Sequence, residues 1–427
     1  MSASTAPSSV TSLRPPVAGS LSDEQALALS GGFDKSATIC AGAGAGKTRL
    51  LVERAAALVK AGAHPQRVAV VTFTRRAAEE ISARLFQRFG DRNKVPICAT
   101  VHSLALSSLL RLGHPVCLPS DLQLHGVLDK LRDELPETYR AYSDAELMLE
   151  LNRCREEEQF LGMTGLLALR FEELVQESGF TDFTSLLSTA VRISGSEYDH
   201  ILVDEAQDLS RLQLSFLRVI GTPKARYWFI GDPDQAIYAF RGANQDVMRT
   251  LQASCDEQFT LTVNYRSARA IVSHANNVIR FNADRIALDW RAHRSDEGSV
   301  DVLHFDHGAA ELEAVERWLK GSPERAVLGR TQALVSTLRE KGLKAYTVHE
   351  SKGLEWAQVW IMGCEAALFP HPLSARNEER RLFYVAMTRA RDQLTMSYSS
   401  ARATKSGAIG AARNPSCFLF ETQALQG

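Results

Sequence analysis

Residues 41–48, AGAGAGKT, place small residues, a lysine and a threonine at the spacing of a phosphate-binding loop, with Ala41 where the usual first glycine stands. A β-type run precedes the loop, and Gly46-Lys47-Thr48 opens an amphipathic helix. Backbone amides at a helix start can bind phosphate oxygens, because they lack partners within the helix and lie at the positive end of its dipole. In such a loop the lysine reaches the β- and γ-phosphates and the hydroxyl holds Mg²⁺. The stretch predicts a nucleoside triphosphate site rather than a Gly/Ala turn that only caps a helix.

The stretch ILVDEAQD, residues 201–208, supplies the acids that such a site needs. Its apolar residues predict a buried strand whose end presents Asp204 and Glu205. Asp204 is predicted to hold Mg²⁺, mostly through water, and Glu205 to orient and deprotonate the attacking water. Two acids at a strand end can also form a solvated turn, but beside the phosphate loop they favour hydrolysis of the triphosphate. Gln207 and Asp208 are predicted to couple sites rather than to perform chemistry.

The stretch IGDPDQAIYAFRGA, residues 230–243, combines polar groups suited to phosphate with aromatic rings. Gln235 is predicted to sense the γ-phosphate. Tyr238 and Phe240 offer ring faces on which bases can stack, an interaction worth about 1–3 kcal/mol per base with any sequence. The alternative is that the two rings fill a core. The segment predicts that hydrolysis is linked to a grip on single-stranded nucleic acid.

The composition limits the class of protein. The 427 residues carry a formal net charge of −1, so nucleic acid would have to bind in a local groove rather than to a basic field over the whole surface. Seven scattered cysteines without a C-x-x-C pair argue against an iron–sulfur or zinc site and suit reduced thiols. No apolar run approaches the ~20 residues of a membrane span, and no signal-peptide pattern opens the chain. We therefore expect a cytoplasmic protein without a membrane partner, associated with the nucleoid when bound to DNA.

The pattern along the chain predicts an α/β protein with two sheet domains. Residues 1–20 are rich in Ser, Ala, Thr and Pro and are predicted to be a disordered leader. Residues 21–104 and 196–262 alternate buried strands with helices and predict a first domain. Residues 105–195 are predicted to be a helical insertion between strands of its sheet. A second α/β domain is predicted over residues 263–427.

The motifs, taken together and in order, resemble superfamily 1 DNA helicases of the UvrD/Rep/PcrA type. The resemblance covers the chain from about Leu21 to Arg391. The segments that carry it are LSDEQALAL, AGAGAGKT, VVTFTRRAAEEI, ATVHSLA, VDEAQD, IGDPDQAIYAFRGA, LTVNYRS, YTVHESKGLEW and EERRLFYVAMTRAR. It implies two RecA-like P-loop NTPase domains with parallel sheets, and ATP with Mg²⁺ in the cleft between them.

The resemblance also implies roles for individual residues. Arg266 and Arg389 would reach the γ-phosphate from the second domain as arginine fingers. Gln25 would bind the adenine base, Tyr265 would stack on it, and Glu355 would meet the ribose. The implied nucleotide-binding residues of the loop are Ala43, Gly44, Ala45, Gly46, Lys47, Thr48 and Arg49. The implied DNA-binding residues are Phe73, Thr74, His102, Tyr238, Phe240 and His349.

The chain departs from large members of that family in its second domain. About 18 residues separate Arg330 from His349, which leaves no room for the 2B domain that those members insert there. Glu350 and Ser351 stand where Ser-Ala is usual, so Glu350 places an anion near the predicted DNA face. Trp356 stands where the family usually has Phe.

Two functional hypotheses follow from this compact form. The first is a helicase or translocase that moves 3′-to-5′ on single-stranded DNA and acts on single strands or tailed duplexes. The second is an ATP-gated DNA sensor or motor subunit whose protein partner, such as a nuclease, supplies the output. RNA is less favoured, although stacking does not distinguish the sugars. The sequence does not indicate the biological pathway.

Overall fold

The computed structural model describes residues 21–136, 139, 142–238, 246–402 and 413–425. The predicted leader and the predicted DNA contact Phe240 lie outside these residues. Two large parallel sheets organise the chain, with helices packed on both. The predicted α/β fold with two parallel-sheet domains is confirmed.

The first sheet has six parallel strands in the order β3-β2-β4-β5-β1-β6. The strands are β1 Ala37–Ala41, β2 Val68–Thr72, β3 Ile97–Thr100, β4 Tyr198–Val203, β5 Gly221–Gly231 and β6 Glu257–Leu261. The central runs are buried along their length, as expected for strands covered on both faces. Helices α1 Asp23–Ser30, α2 Lys47–Lys60 and α3 Arg75–Phe89 belong to this domain. Because β4, β5 and β1 are neighbours, the residues that follow their carboxyl ends meet at one edge of the sheet.

The part of the chain between β3 and β4 consists of helices and connecting loops, without a strand, in the residues that the structure describes. It contains α4 Val101–Arg111, α5 Asp121–Asp133, α6 Asp144–Glu156, α7 Gly162–Glu177 and α8 Phe183–Ile193. Leu131, Leu147, Leu151 and Phe171 form part of a separate buried core here. The predicted boundary between residues 104 and 105 falls inside α4, so the division into domain and insertion stays a prediction.

An ion cluster ties α6 to α8. The side chain of Arg155 is 1% exposed, and its guanidinium donates to both oxygens of Asp182, at 2.7 and 2.9 Å, and to Ser185 Oγ at 2.7 Å. The Arg155 Nε atom also lies 3.5 Å from Glu172. Removing one partner of such a buried pair leaves an uncompensated charge behind.

We predict that Arg155→Met lowers the free energy of unfolding by about 3–5 kcal/mol. Arg153→Met is the matched control, because Arg153 lies in the same helix with its side chain 54% exposed and pairs only with Glu150 in the described contacts. That control should cost no more than about 1 kcal/mol. Urea unfolding followed by circular dichroism measures both values, and equal losses would contradict a structural role for the cluster.

The second sheet has five parallel strands in the order β11-β10-β12-β13-β9. A short parallel pair is formed by β7 Val263–Asn264 and β8 Arg291–Ala292. Along the chain, both strands come after those of the first sheet and before those of the second. The strands are β9 Ser299–His307, β10 Arg325–Gly329, β11 Ala345–Thr347, β12 Trp356–Met362 and β13 Ala390–Ala401. The remaining helices are α9 Arg211–Ile220 and α10 Val247–Ser254 of the first domain, and α11 Arg269–Ile279, α12 Gly308–Lys320, α13 Gln332–Glu340, α14 Arg376–Met387 and α15 Cys417–Glu421. Between residues 330 and 349, which are all described, the structure has only α13, β11 and short connections.

The two domains share a hydrophobic core. Ala43, Ile237 and Tyr238 of the first domain pack in one buried cluster with Trp290 and Tyr384 of the second. Within the described residues, no helix combines the length and the apolar character needed to cross a bilayer.

Candidate active site

The phosphate loop joins β1 to α2 in the predicted way. Gly44 and Gly46 adopt left-handed φ values of 68° and 80°, and Gly46 precedes α2 without a side-chain cap. A Cβ atom on Gly44 would lie 2.7 Å from Arg266 Cβ, and one on Gly46 would lie 2.8 Å from Gln25 Nε2. Glycine is therefore required by backbone conformation and by close approach. The free backbone amides of the first turn of α2 therefore lie directly after the loop, as a phosphate site requires.

Asp204 and Glu205 follow β4 beside this loop. Asp204 Oδ2 lies 3.5 Å from the Thr48 hydroxyl, which donates to it. Burial and the adjacent Glu205 raise the pKa of Asp204 to about 7. Burial also opposes ionisation of Glu205, but Lys47 and Lys352 outweigh it and lower the pKa of Glu205 to about 2. Glu205 is thus ionised. Asp204 is buried and has too little positive charge around it to favour its ionised form.

The oxygen donors of Thr48 and Asp204 fit Mg²⁺. Hydroxyl and carboxylate oxygens are the ligands that this ion prefers, and it is usually bound by one or two carboxylates together with substrate phosphates. Among the described residues, no group of three His, Cys, Asp or Glu side chains forms a cage for a metal. A site completed by phosphate oxygens is consistent with both observations.

A chain of hydrogen bonds connects Glu205 with Arg389 across the domain boundary. Gln207 Nε2 donates to Glu205 Oε2 at 2.7 Å, and Gln207 Oε1 accepts from the Asp232 amide at 2.9 Å. Gln235 Nε2 donates to Asp232 Oδ2 at 2.7 Å, and Gln235 Oε1 accepts from Arg389 Nη2 at 3.0 Å. The path links the acid of the first domain to the guanidinium of the second. Gln207 lies on this path, and its coupling role stays a prediction.

The two predicted arginine fingers lie near each other. Arg389 is 2% exposed, and burial and the charge of Arg266 lower its pKa to about 10, so the guanidinium stays charged at neutral pH. Arg266 Nη1 donates to the Thr388 carbonyl at 3.3 Å. Arg266 also forms an ion pair with Glu355. In this structure Glu355, the predicted ribose contact, therefore contacts a predicted arginine finger.

The predicted adenine-binding residues surround the loop. Gln25 uses both ends of its amide, because its Nε2 donates to the Ala45 carbonyl at 2.9 Å and its Oε1 accepts from the Ser22 amide at 3.1 Å. The Tyr265 amide donates to the Gly44 carbonyl at 2.9 Å. Ala43 is buried in the loop, and Arg49 lies in the first turn of α2. The direct contacts of Gln25 and Tyr265 with base remain predictions.

Lys352 makes a second link between the domains, which sequence reasoning missed. Its ammonium forms an ion pair with Asp208 and donates to the Gln235 carbonyl at 2.9 Å. It also lies 5.0 Å from the centroid of the Tyr238 ring. Burial raises the pKa of Asp208 to about 6, against the effect of Lys352. The sequence shows this lysine inside the segment YTVHESKGLEW, but its spacing does not indicate that Asp208 is its partner.

Three predicted DNA-binding residues line one groove of about 520 Å³: Phe73, His102 and Tyr238. Phe73 stacks on Tyr238 with ring centroids 5.0 Å apart and an angle of 16° between the planes. Phe73 is 38% exposed and Tyr238 only 9%, so Phe73 presents the accessible ring and Tyr238 supports it. Phe183 of the insertion packs edge-on against His102 at 5.6 Å and also lines the groove. Sequence reasoning missed Phe183 because nothing local distinguishes it from a core residue.

Thr74 and His349, the other predicted DNA-binding residues that the structure describes, lie beside this groove. Thr74 precedes α3, and its hydroxyl accepts from the Ala77 amide at 3.2 Å. The His349 carbonyl lies 3.5 Å from the Tyr238 hydroxyl, and His349 lines a separate cavity of about 260 Å³. The structure therefore places His349 beside the groove rather than in its wall.

Glu350, the unusual anion of this segment, is compensated locally. It accepts from the Thr347 amide and hydroxyl, both at 2.8 Å, and from Gln332 at 3.1 Å, and it forms an ion pair with Arg339. Burial opposes its ionisation, but Arg339 and these hydrogen bonds lower the pKa of Glu350 to about 2. The carboxylate closes the turn after β11 instead of presenting an uncompensated charge.

Comparison with known proteins gives the family. A family model described as an AAA domain matches residues 25–241, just over half of the chain, and a UvrD-like helicase C-terminal domain matches residues 324–401. These ranges contain both ends of the path from Glu205 to Arg389. The chain belongs to the UvrD/Rep/PcrA-like family of superfamily 1 helicases. The resemblance seen in the motifs is confirmed.

Relatives within the UvrD-like family are distant in sequence. A probable DNA helicase II homolog of Mycoplasma capricolum subsp. capricolum is 29% identical over 301 residues, 62% of this chain and 42% of the relative. A probable DNA helicase of Mycoplasma pneumoniae is 27% identical over 424 residues, 83% of this chain and 79% of the relative. DNA helicase II of Escherichia coli (strain K12) is 28% identical over 345 residues, 72% of this chain and 48% of the relative. The chain thus spans less than half the length of two of these three UvrD-like relatives.

Proposed function

We propose that this chain hydrolyses ATP, with Mg²⁺, between its two α/β domains and uses the cycle to move along single-stranded DNA. The observation that carries the proposal is the hydrogen-bonded path from Glu205 to Arg389 through Gln235. If Gln235 senses the γ-phosphate, this path transmits the presence of nucleotide to the second domain. Family membership and the DNA helicase names of the relatives support the same activity.

In this scheme the residues of the site have separate roles in hydrolysis and in domain movement. Lys47 neutralises phosphate charge in the loop, and ionised Glu205 orients the attacking water. A γ-phosphate would compete with Gln235 for the Arg389 guanidinium, which is already charged and beside the acids. Engagement of that arginine draws the domains together, and loss of the phosphate after hydrolysis releases them. Thr48 and Asp204 would hold Mg²⁺, which supplies further charge neutralisation on the phosphates.

The groove gives the scheme its connection to DNA. Lys352 contacts Asp208 and Gln235 on one side and the Tyr238 ring on the other, and Tyr238 stacks on Phe73. A change at Gln235 therefore reaches the rings of the groove through direct contacts. We infer that bases stack on the exposed face of Phe73, next to His102.

Phe73→Ala should weaken binding of single-stranded DNA by about 1–3 kcal/mol, or roughly 5- to 150-fold in Kd, because it removes the accessible ring. Phe86→Ala is the matched control, since Phe86 on α3 is similarly exposed, at 40%, but lies outside the groove. Fluorescence anisotropy of a labelled thymidine oligonucleotide measures both affinities. Equal affinity of Phe73→Ala and wild type would contradict the assignment of the groove.

The polarity and the output are tested by strand displacement. A labelled strand is annealed to leave a 3′ or a 5′ single-stranded tail, and its release is measured with ATP and Mg²⁺. Release from the 3′-tailed duplex alone supports a 3′-to-5′ helicase. DNA-stimulated ATP hydrolysis without release from either duplex would favour the alternative, an ATP-gated sensor or motor subunit that works with a partner such as a nuclease. An RNA oligonucleotide in the same ATPase assay tests the choice of nucleic acid.

A further inference from the structure

The segment between α11 and β9 contacts three separate parts of the nucleotide site. We call residues 285–291 the interdomain strap. Arg285 contacts Asp234, Trp290 contacts Gly42 of the phosphate loop, and Arg291 contacts Glu24 in the first turn of α1. No motif in the sequence covers these residues, and none of the chemistry assigned above uses them. The contacts nevertheless run from the second domain to the loop that binds phosphate.

The Trp290 side chain packs against Gly42 of the phosphate loop. A Cβ atom built on Gly42 would lie 2.5 Å from two carbons of the indole ring, so the ring rests directly against the loop backbone. Trp290 is 5% exposed and packs in the buried cluster that contains Ala43. Asn276 of α11 fixes its backbone by donating to the Trp290 carbonyl at 2.6 Å. The indole is therefore a rigid wall on one side of the loop.

Charged contacts anchor the strap on either side of this wall. Arg285 donates to both oxygens of Asp234, at 3.2 and 2.8 Å, and both side chains are buried. Asp234 precedes Gln235, which bonds Arg389. At the other end, Arg291 donates to Glu24 at 3.2 Å. These two ion pairs hold Trp290 next to the phosphate loop and next to the segment that contains Gln235.

We propose that Trp290 is a positioning residue for the phosphate loop, so that the loop has full affinity for nucleotide only while the strap lies against it. The inference rests on the proposed ATPase cycle and adds a route for product release to it. Opening of the cleft moves the second domain, which carries the indole, away from Gly42. The loop then loses its supporting wall, and ADP dissociates faster from the open state than from the closed state.

The test compares Trp290→Phe with Trp360→Phe. Trp360 is equally buried, at 4% exposed, but it lies in a different hydrophobic cluster of the second domain, where its Nε1 donates to Ser397 Oγ at 2.7 Å. Equilibrium dialysis with labelled ADP and Mg²⁺ should give an about tenfold weaker Kd for Trp290→Phe, equivalent to about 1.4 kcal/mol, because the smaller ring leaves the loop backbone without part of its support. Trp360→Phe should stay close to wild type. Both variants are first compared with wild type by thermal unfolding.

A double-mutant cycle separates contact from general damage. Gly42→Ala should also weaken ADP binding, because the added methyl group meets the indole. Trp290→Ala is measured as the second single variant. If the two residues act through one contact, Gly42→Ala combined with Trp290→Ala should bind ADP no more weakly than the weaker of the two single variants. The proposal would be overturned if the losses of ADP affinity in the two single variants multiplied in the double variant. It would also be overturned if Trp290→Phe and Trp360→Phe bound ADP equally well. Neither outcome would contradict the proposed ATPase. A wild-type protein that binds neither ATP nor ADP would overturn both.

Discussion

Arg389→Ala should lower the rate of ATP hydrolysis at saturating single-stranded DNA by about 10³- to 10⁵-fold, the range associated with loss of an arginine finger. Arg389 is buried, charged at neutral pH and bonded to Gln235, the residue predicted to sense the γ-phosphate. Removing it takes away transition-state stabilisation more than ground-state binding. The measurement is a steady-state coupled assay, with ATP affinity determined separately by dialysis.

Arg391→Ala is the control for this variant. Arg391 lies two residues further along, its side chain is 38% exposed, and it pairs with Glu324 at 3.0 Å outside the cleft. It should keep nearly full turnover. Arg389→Lys should be almost as slow as Arg389→Ala, because an ammonium cannot reproduce the planar fork of a guanidinium. Turnover by Arg389→Ala within about tenfold of wild type would remove this residue from the reaction.

Lys47→Ala should leave almost no ATP turnover, a loss of about 10³-fold, because preorganised charge at the phosphates is lost. The same lysine lowers the pKa values of Asp204 and Glu205, against the effect of their burial. Its removal therefore also weakens the ionisation of the two acids that are predicted to act in the reaction. Turnover and ATP affinity are measured with and without DNA.

Lys60→Ala provides the matched control, because Lys60 is an exposed lysine at the other end of α2. Circular dichroism and thermal unfolding of both variants show whether the fold survives. A folded Lys47→Ala protein that hydrolyses ATP at the wild-type rate would place the reaction somewhere other than this loop.

The parts of the site that the sequence predicted are local in the chain. The order of β1, loop and α2 follows from a buried apolar run, glycines that must adopt left-handed conformations, and a helix start. The acids after β4 and the glutamine after β5 were predictable for the same reason. A parallel sheet brings the ends of neighbouring strands together, and this geometry made their meeting predictable too.

The parts that could not be predicted depend on contacts between distant residues. Arg266 pairs with Glu355, and Lys352 reaches Asp208, over separations in sequence that no pattern specifies. Phe183 resembles an ordinary helix residue until the structure places it against His102. Trp290 likewise gained a role only through its contact with the phosphate loop.

The exposure of the aromatic rings also needed the structure. The sequence offered Tyr238 as a stacking platform, with a core position as the alternative. The structure gives Tyr238 an intermediate position between an exposed platform and a core residue, because its ring is mostly buried under Phe73 while still lining the groove. Burial of this kind depends on residues 73 and 352, which lie far from Tyr238 in the chain.

In the proposed mechanism, nucleotide hydrolysis between the domains is mechanically connected to nucleic acid in the groove. The most direct test is the steady-state rate of ATP hydrolysis by the wild-type chain, measured with increasing single-stranded DNA and with Lys47→Ala as the baseline. We expect a strong, saturable rise in the wild-type rate and none in the variant. A wild-type rate that polynucleotide leaves unchanged, although the DNA binds, would contradict it.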